Sequence, residues 1–256
     1  MYRLLERLIA SLRWRYCLLA KGGRIVVDGK LLDANTPLIS RSTFKFMLTG
    51  NYEVAERRLL TYMLDAGHIC RGDRVLEAGG GLGVLTMNIA DIVGDDAIVV
   101  FEANPRTAEA LQVNLALNGH AIKVETRALV ADVNADVAFA DLIETTTGFG
   151  GCSTHRVESG VPTITVPAET LADALRRVDP TVLVIDVEGA EHDLLASVRD
   201  WRRLRSIHME VHPAVLPAVK IAAMLRRLAE DGFRVVESPI SDINVILLSR
   251  STRRSG

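Results

Sequence analysis

The chain has 256 residues, 48% of them apolar, and a formal net charge of −2. That length and apolar content support one large α/β domain with an extension, and the near-neutral charge argues against a nucleic-acid binder, which shows a basic face. Cys17, Cys70 and Cys152 are scattered, without C-x-x-C or metal-ligand spacing. They read as buried or free thiols in a reducing compartment, the cytoplasm.

Residues 1–20 place Leu4, Leu5, Leu8, Ile9, Leu12 and Tyr16 at helical spacing. Arg7, Arg13 and Arg15 break any signal-peptide core, and no apolar run here is long enough to span a bilayer. A basic amphipathic helix with Trp14 can lie on a membrane surface, or pack on its own domain or a second subunit. Residues 24–32 read as a hairpin around Asp28-Gly29, and residues 33–50 as polar and irregular. Residues 1–50 are therefore expected to form an extension, residues 51–250 the main domain, and residues 251–256 a disordered tail.

A helix is expected to open at residues 51–53, with Asn51 as its N-cap. Strands are expected at 75–78, 98–102, 122–129, 181–187 and 204–211, and helices at 82–93, 105–118, 167–178, 190–198 and 216–232. Pro105 suits a first helical turn, and Asn118-Gly119 a left-handed helix end. Residues 141–163, rich in Gly and Thr, read as a loop that could form a substrate wall. Residues 233–237 and 243–249 read as a terminal antiparallel pair. Alternating strands and helices predict a doubly wound, mostly parallel, Rossmann-like α/β sheet with helices on both faces.

The stretch Val75-Leu76-Glu77-Ala78-Gly79-Gly80-Gly81-Leu82-Gly83-Val84-Leu85-Thr86 is a strand running into glycines and then a helix. Such a loop lets a ligand approach the backbone, and the helix N-terminus presents free N–H groups. Gly79, Gly81 and Gly83 read G-x-G-x-G, whereas a dinucleotide fingerprint needs G-x-G-x-x-G and Val84 occupies its third position. With Glu77 just before it, the loop suits a cofactor with an adenosine and an amino-acid tail. Glu102, at the tip of the second strand, can accept hydrogen bonds from both ribose hydroxyls.

Five segments then fall in one order: Glu77 to Gly83, Phe101-Glu102-Ala103-Asn104-Pro105, Asn118-Gly119, Ile185-Asp186-Val187-Glu188-Gly189-Ala190-Glu191 and Glu210-Val211-His212. That order resembles the FkbM-type family of S-adenosylmethionine-dependent methyltransferases over roughly residues 50 to 248. The resemblance implies a seven-stranded class I methyltransferase sheet of order 3-2-1-4-5-7-6. It implies S-adenosyl-L-methionine as cofactor, held in part by Glu53, with Ala128 beside the adenine. It also implies a small-molecule acceptor whose hydroxyl, on a sugar or secondary metabolite, is methylated. The family usually carries Asp and then Ala-Asn in the glycine loop, where this chain has Glu77 and Gly80-Gly81. It often carries Lys where this chain has Val184.

Asp186, Glu188, Glu210 and His212 fall at or just past strand ends, where ligands bind in such sheets. An oxygen methyltransferase needs a base or a metal, because a protonated hydroxyl is a poor nucleophile. His212 is the expected base, since an ordinary imidazole titrates near neutrality. Asp186, Glu188 and Glu210 complete the expected catalytic group, and Asp186 is also expected to face the cofactor tail. Mg²⁺ on Asp186, Glu188, Glu210 and His212 is a less favoured alternative, because no ligand spacing demands an ion. A nicotinamide oxidoreductase and a non-catalytic cofactor-binding scaffold stay open as other readings.

Overall fold

The computed structural model describes residues 23–36, 38–132, 137–141, 152–153 and 163–250. The chain begins with β1 (Arg24–Val27), β2 (Lys30–Asp33), α1 (Arg41–Leu48) and α2 (Val54–Asp65). It continues through β3 (Val75–Ala78), α3 (Val84–Val93), β4 (Ile98–Phe101), α4 (Pro105–Leu117), β5 (Lys123–Glu125) and β6 (Ala128–Val130). Then come β7 (Val137–Asp141), β8 (Cys152–Ser153), β9 (Thr163–Val166), β10 (Ala168–Thr170), α5 (Leu171–Val178) and β11 (Val182–Ile185). The last elements are α6 (Glu191–Ser197), β12 (Ser206–Glu210), α7 (Ala218–Glu230), β13 (Arg234–Val235) and β14 (Val245–Ser249). No helix among the described residues is long and apolar enough to cross a membrane.

The central sheet has the order β5-β4-β3-β11-β12-β14-β13. Renumbered within the sheet alone, this is 3-2-1-4-5-7-6, the expected order. Strands β5 to β12 run parallel, and β14 is antiparallel to both neighbours. Successive side chains of a strand point to opposite faces, and β11 shows what that requires. Val182 and Val184 join the core under α2, α3 and α4, while Leu183 and Ile185 join the core under α5, α6 and α7. A strand buried on both faces must be apolar throughout, which is why Val182 to Ile185 carries no alternation. Fully burying one such side chain contributes about 1.5–3 kcal/mol.

Local chemistry sets the boundaries. Asn104 caps α4 by accepting from the Arg106 amide at 3.0 Å, with Pro105 in the first turn. Gly119 follows α4 with φ +78°, the left-handed end its sequence implied. The β1–β2 hairpin docks on α4 through side-chain amides: Asn118 both accepts from Leu31 N and donates to Leu31 O, and Asn114 accepts from Asp33 N.

Several local expectations change. Residues 41–48 are helical rather than irregular: Ser40 caps them by accepting from Thr43 N, and Phe44 and Met47 enter the core. Asn51 does not cap α2; Glu53 does, in a left-handed conformation of φ +48°. The expected strand 122–129 is two strands. β5 belongs to the central sheet, whereas β6 leaves it to pair in parallel with β10. Consequently Ala128 pairs with Ala168, and α5 starts at Leu171, capped by Thr170. Within the expected loop 141–163, β8 pairs with β7, while residues 142–151 and 154–162 lie outside the described residues, as do residues 1–22 and 251–256.

Candidate active site

The glycine loop lies where β3 ends at the carboxyl edge of the sheet. Gly79 donates to Phe101 O at 2.8 Å and has φ +92°. A Cβ there would sit 1.8 Å from the Asp186 carbonyl oxygen, so only glycine lets β3 and β11 approach this closely. Gly81, at φ +52°, is different. A Cβ there would meet Glu53 Oε1 at 3.7 Å and the Tyr52 hydroxyl at 3.9 Å, in ordinary contact with side chains rather than against backbone. Leu111 supports the loop from below, within 2.6 Å of any Cβ at Gly80 or Gly83. Gly83 then serves as N-cap of α3 without a capping side chain.

Glu53 supplies what that helix end lacks. Its Oε2 accepts from Leu85 N at 3.2 Å, placing a carboxylate at the positive end of α3. Burial pushes its carboxyl up to about 7, with the hydrogen bond from Tyr52 acting against the shift. Tyr52 itself is raised well above its ordinary value, by burial first and then by the charge of Glu53.

Glu102 follows β4 and is 8% exposed. Its Oε2 accepts from Gly81 N at 3.2 Å and its Oε1 from Asn104 N at 2.9 Å. Burial outweighs these bonds and pushes the carboxyl up to about 7. The amides of Gly80 and Ala103 also favour the charged form, so a ligand hydroxyl would share the carboxylate with these backbone donors. Glu77 is 1% exposed, and its Oε2 is buried with no hydrogen-bond partner among the described residues. Burial pushes it up to about 8; Thr86 acts against this, and the charges of Glu53 and Glu102 add to it. Three carboxyls thus surround one glycine loop, each held back from ionising by burial. A ligand that brings positive charge and hydroxyl donors relieves that cost.

Beyond the loop a second group forms around His212, two residues past β12. Its Nδ1 lies 2.7 Å from Glu191 Oε1, and its Nε2 lies 3.5 Å from Asp186 Oδ1, 3.5 Å from Glu188 Oε2 and 3.9 Å from Glu210 Oε1. Glu191 is fully buried, and its Oε1 also accepts from Gly189 N at 3.0 Å. Burial alone would lower the His212 pKa. The Glu191 bond and the charges of Asp186, Glu188 and Glu191 win and push it up to about 9. The raised value favours the protonated imidazole at neutral pH, so His212 acts as a base only once it has given up that proton.

Burial and the charges of Glu210 and Glu188 raise Asp186, with His212 acting against them. Its side chain nonetheless keeps 43% of its accessible surface, although Oδ1, the oxygen facing His212, is buried. Glu210 is pushed up to about 7 by burial and by Glu56, a partner on α2. Asp186, Glu188 and His212 each offer an atom within 4.8 Å of the others and could hold a cation.

Glu53, Glu77, Gly79, Gly81, Gly83 and Glu102 thus meet at one loop, and Asp186 joins that loop to the His212 group. Ala128 stands apart in a small apolar cluster with Val130 and Val166, against which Ala103, the neighbour of Glu102, packs. His208, the weaker base candidate, is buried and its Nε2–H donates to Glu56 O at 3.1 Å, a structural contact. Sequence reasoning assigned no role to Glu56 or Glu191. Glu191 stands inside the quoted acidic run, but only its burial beside His212 shows what it does.

Among solved structures, fibrillarin from Aeropyrum pernix, in complex with natively bound S-adenosyl-L-methionine, is similar at 16% identity, covering 77% of this chain and 76% of that one with a TM-score of 0.44. Ribosomal protein L11 methylase from Lactobacillus delbrueckii subsp. bulgaricus is similar at 16% identity, covering 79% and 81%, with a TM-score of 0.44. At such identities and TM-scores neither says anything of the activity. No curated protein is similar enough to count as a match. The family model described as the methyltransferase FkbM domain matches residues 80–235, more than half of the sequence, and the chain belongs to that family.

Proposed function

We propose that this methyltransferase uses S-adenosylmethionine to methylate a hydroxyl of a small molecule, a sugar or a secondary metabolite. The observation that carries the reading is the buried, unpartnered Oε2 of Glu77 beside Glu53 and Glu102 on one glycine loop. An acid-lined cradle of this kind fits a cofactor that carries a sulfonium, an ammonium and a ribose diol. Glu102 would hold the ribose hydroxyls, Glu77 and Glu53 the charged tail, and the backbone of Gly79, Gly81 and Gly83 the cofactor's near edge. Ala128 would flank the adenine. When bound, S-adenosylmethionine supplies the methyl group and the leaving group.

The chain must orient the acceptor oxygen and remove its proton. Positioning alone can contribute roughly 7–11 kcal/mol. Asp186 is the favoured proton acceptor: its backbone carbonyl adjoins Gly79, its side chain keeps 43% of its accessible surface although Oδ1 is buried facing His212, and its proton affinity is raised. His212 stays cationic beside it and stabilises the carboxylate group. Glu188 and Glu210 line the acceptor side and can accept from neighbouring hydroxyls. A divalent ion on Asp186, Glu188 and His212 is the less favoured version, because the imidazolium already supplies the positive charge there. Chelator treatment is therefore expected to leave turnover unchanged.

The test is turnover. Incubation with S-adenosylmethionine and a panel of hydroxylated metabolites should give a product heavier by one methylene, with S-adenosylhomocysteine formed in equal amount. A protein that binds S-adenosylhomocysteine yet methylates nothing across such a panel would instead be a cofactor-binding scaffold.

A further inference from the structure

We infer that Arg177 is a positioning residue for the adenosine half of the cofactor site, acting through Glu102; this rests on the cofactor reading above. Arg177 stands in the last turn of α5 and forks two carboxylates at once. Its Nη1 and Nη2 donate to the two oxygens of Glu125 at 2.8 and 2.9 Å, and its Nε and Nη2 to those of Glu169 at 3.1 and 2.9 Å. Both acids are partly buried, with 12% and 11% of their side-chain surface accessible, while Arg177 itself keeps 40%. The guanidinium also lies 5.6 Å from the ring centre of Phe101, which is 2% exposed.

All of these contacts lead to the ribose carboxylate or to the strands beside it. Phe101 is the residue before Glu102. Glu125, on β5, accepts the backbone N–H of Glu102 on its carbonyl at 3.1 Å. Glu169, on β10, sits in the strand that pairs with Ala128 to Val130. The central sheet and the separate β6–β10 pair are different sheets, and the β4–β5 and β6–β10 strand ends are bridged here by one planar fork. Exposed ion pairs contribute little to stability by themselves. A bidentate fork on two partly buried carboxylates instead fixes geometry. Arg127 also reaches Glu125 and Glu169, at 3.6 and 3.3 Å, so it can replace the charge but not the fork.

The test is titration calorimetry of the full chain with S-adenosylhomocysteine. Arg177→Ala should weaken binding about tenfold, the size of coupling expected between residues in one network. Arg177→Lys keeps the charge and the stem but not the fork, so it should preserve the fold and recover only part of the affinity. Arg127→Ala should change affinity less than either. In the Glu102→Ala background, Arg177→Ala should cost less affinity than in the native chain, because the arms through Phe101 and Glu125 then act on a carboxylate that is gone while the Glu169 arm remains. Unchanged affinity in a folded Arg177→Lys protein, or full additivity with Glu102→Ala, would overturn the inference. Failure of the native chain to bind S-adenosylhomocysteine would overturn the cofactor reading instead.

Discussion

His212 and Glu191 meet at 2.7 Å, and Glu191 is fully buried. The pair holds a proton on the imidazole, which titrates at about 9 instead of its ordinary 6.5. A group whose folded pKa is raised adds stability that is complete below its unfolded pKa and is lost as pH rises through its folded pKa. Melting temperature should therefore fall as pH rises from about 6.5 through about 9, and His212→Ala should flatten that slope. Turnover should fall over the same alkaline range, because the cation beside Asp186 disappears. Glu191→Gln should move the fall to lower pH. Turnover that instead rises through pH 9 would make neutral His212 the base.

The raised carboxyls of Glu53, Glu77 and Glu102 make cofactor binding a proton-linked event. They titrate at about 7, 8 and 7, so part of the population is protonated at neutral pH. A cationic ligand draws those protons off. Affinity for S-adenosylmethionine should rise from pH 6 to about pH 8. S-adenosylhomocysteine, which lacks the sulfonium charge, should show a shallower rise. Calorimetry in buffers of different ionisation enthalpy reads the released protons directly, and an identical heat in all of them would contradict this linkage.

Glu102→Ala removes a carboxylate that both ties Gly81 to Asn104 and faces the proposed ribose. Hydrogen bonds to charged groups contribute about 1.5–3 kcal/mol each. Loss of even one should weaken S-adenosylhomocysteine binding at least tenfold. An unchanged dissociation constant would remove Glu102 from the site.

Two glycines of one loop should fail in different ways. Gly79→Ala forces a methyl group against the Asp186 carbonyl and should unfold the carboxyl edge of the sheet, read as a large drop in melting temperature. Gly81→Val meets only the Glu53 and Tyr52 side chains but forces a β-branched residue to φ +52°, so melting temperature should fall less than for Gly79→Ala while binding is lost. Leu111→Ala, beneath the loop, should cost about 2–5 kcal/mol of stability. Equal melting temperatures for the two glycine variants would contradict this division.

The sheet was legible because β4 and β11 are short apolar runs and β3 is nearly one, each followed by glycine, proline or capping residues. The glycine loop, Glu77 and Glu102 follow directly from that order. What stayed hidden depends on contacts distant in sequence. β6 leaves the central sheet only because Ala168 to Thr170 offers it an edge, and nothing in residues 122–129 announces that partner. Helix α1 rests on Phe44 and Met47, too few apolar positions to show a period. Asn51 is a good capping residue by type, yet its side chain donates to Thr49 Oγ1 while Glu53, at the cap position, turns its side chain to Leu85 on another helix. The charge of His212 was unreadable for the same reason: residue type gives an ordinary pKa, while Glu191, Asp186 and Glu188, brought together only by the fold, push it up against the effect of burial.

The most direct measurement is calorimetric titration of the native chain with S-adenosylhomocysteine and, separately, with NAD. The acid-lined loop and the valine at position 84 predict saturable one-to-one binding of S-adenosylhomocysteine and none of NAD. Binding of NAD with no binding of S-adenosylhomocysteine would contradict the assignment of the loop and of every residue placed around it.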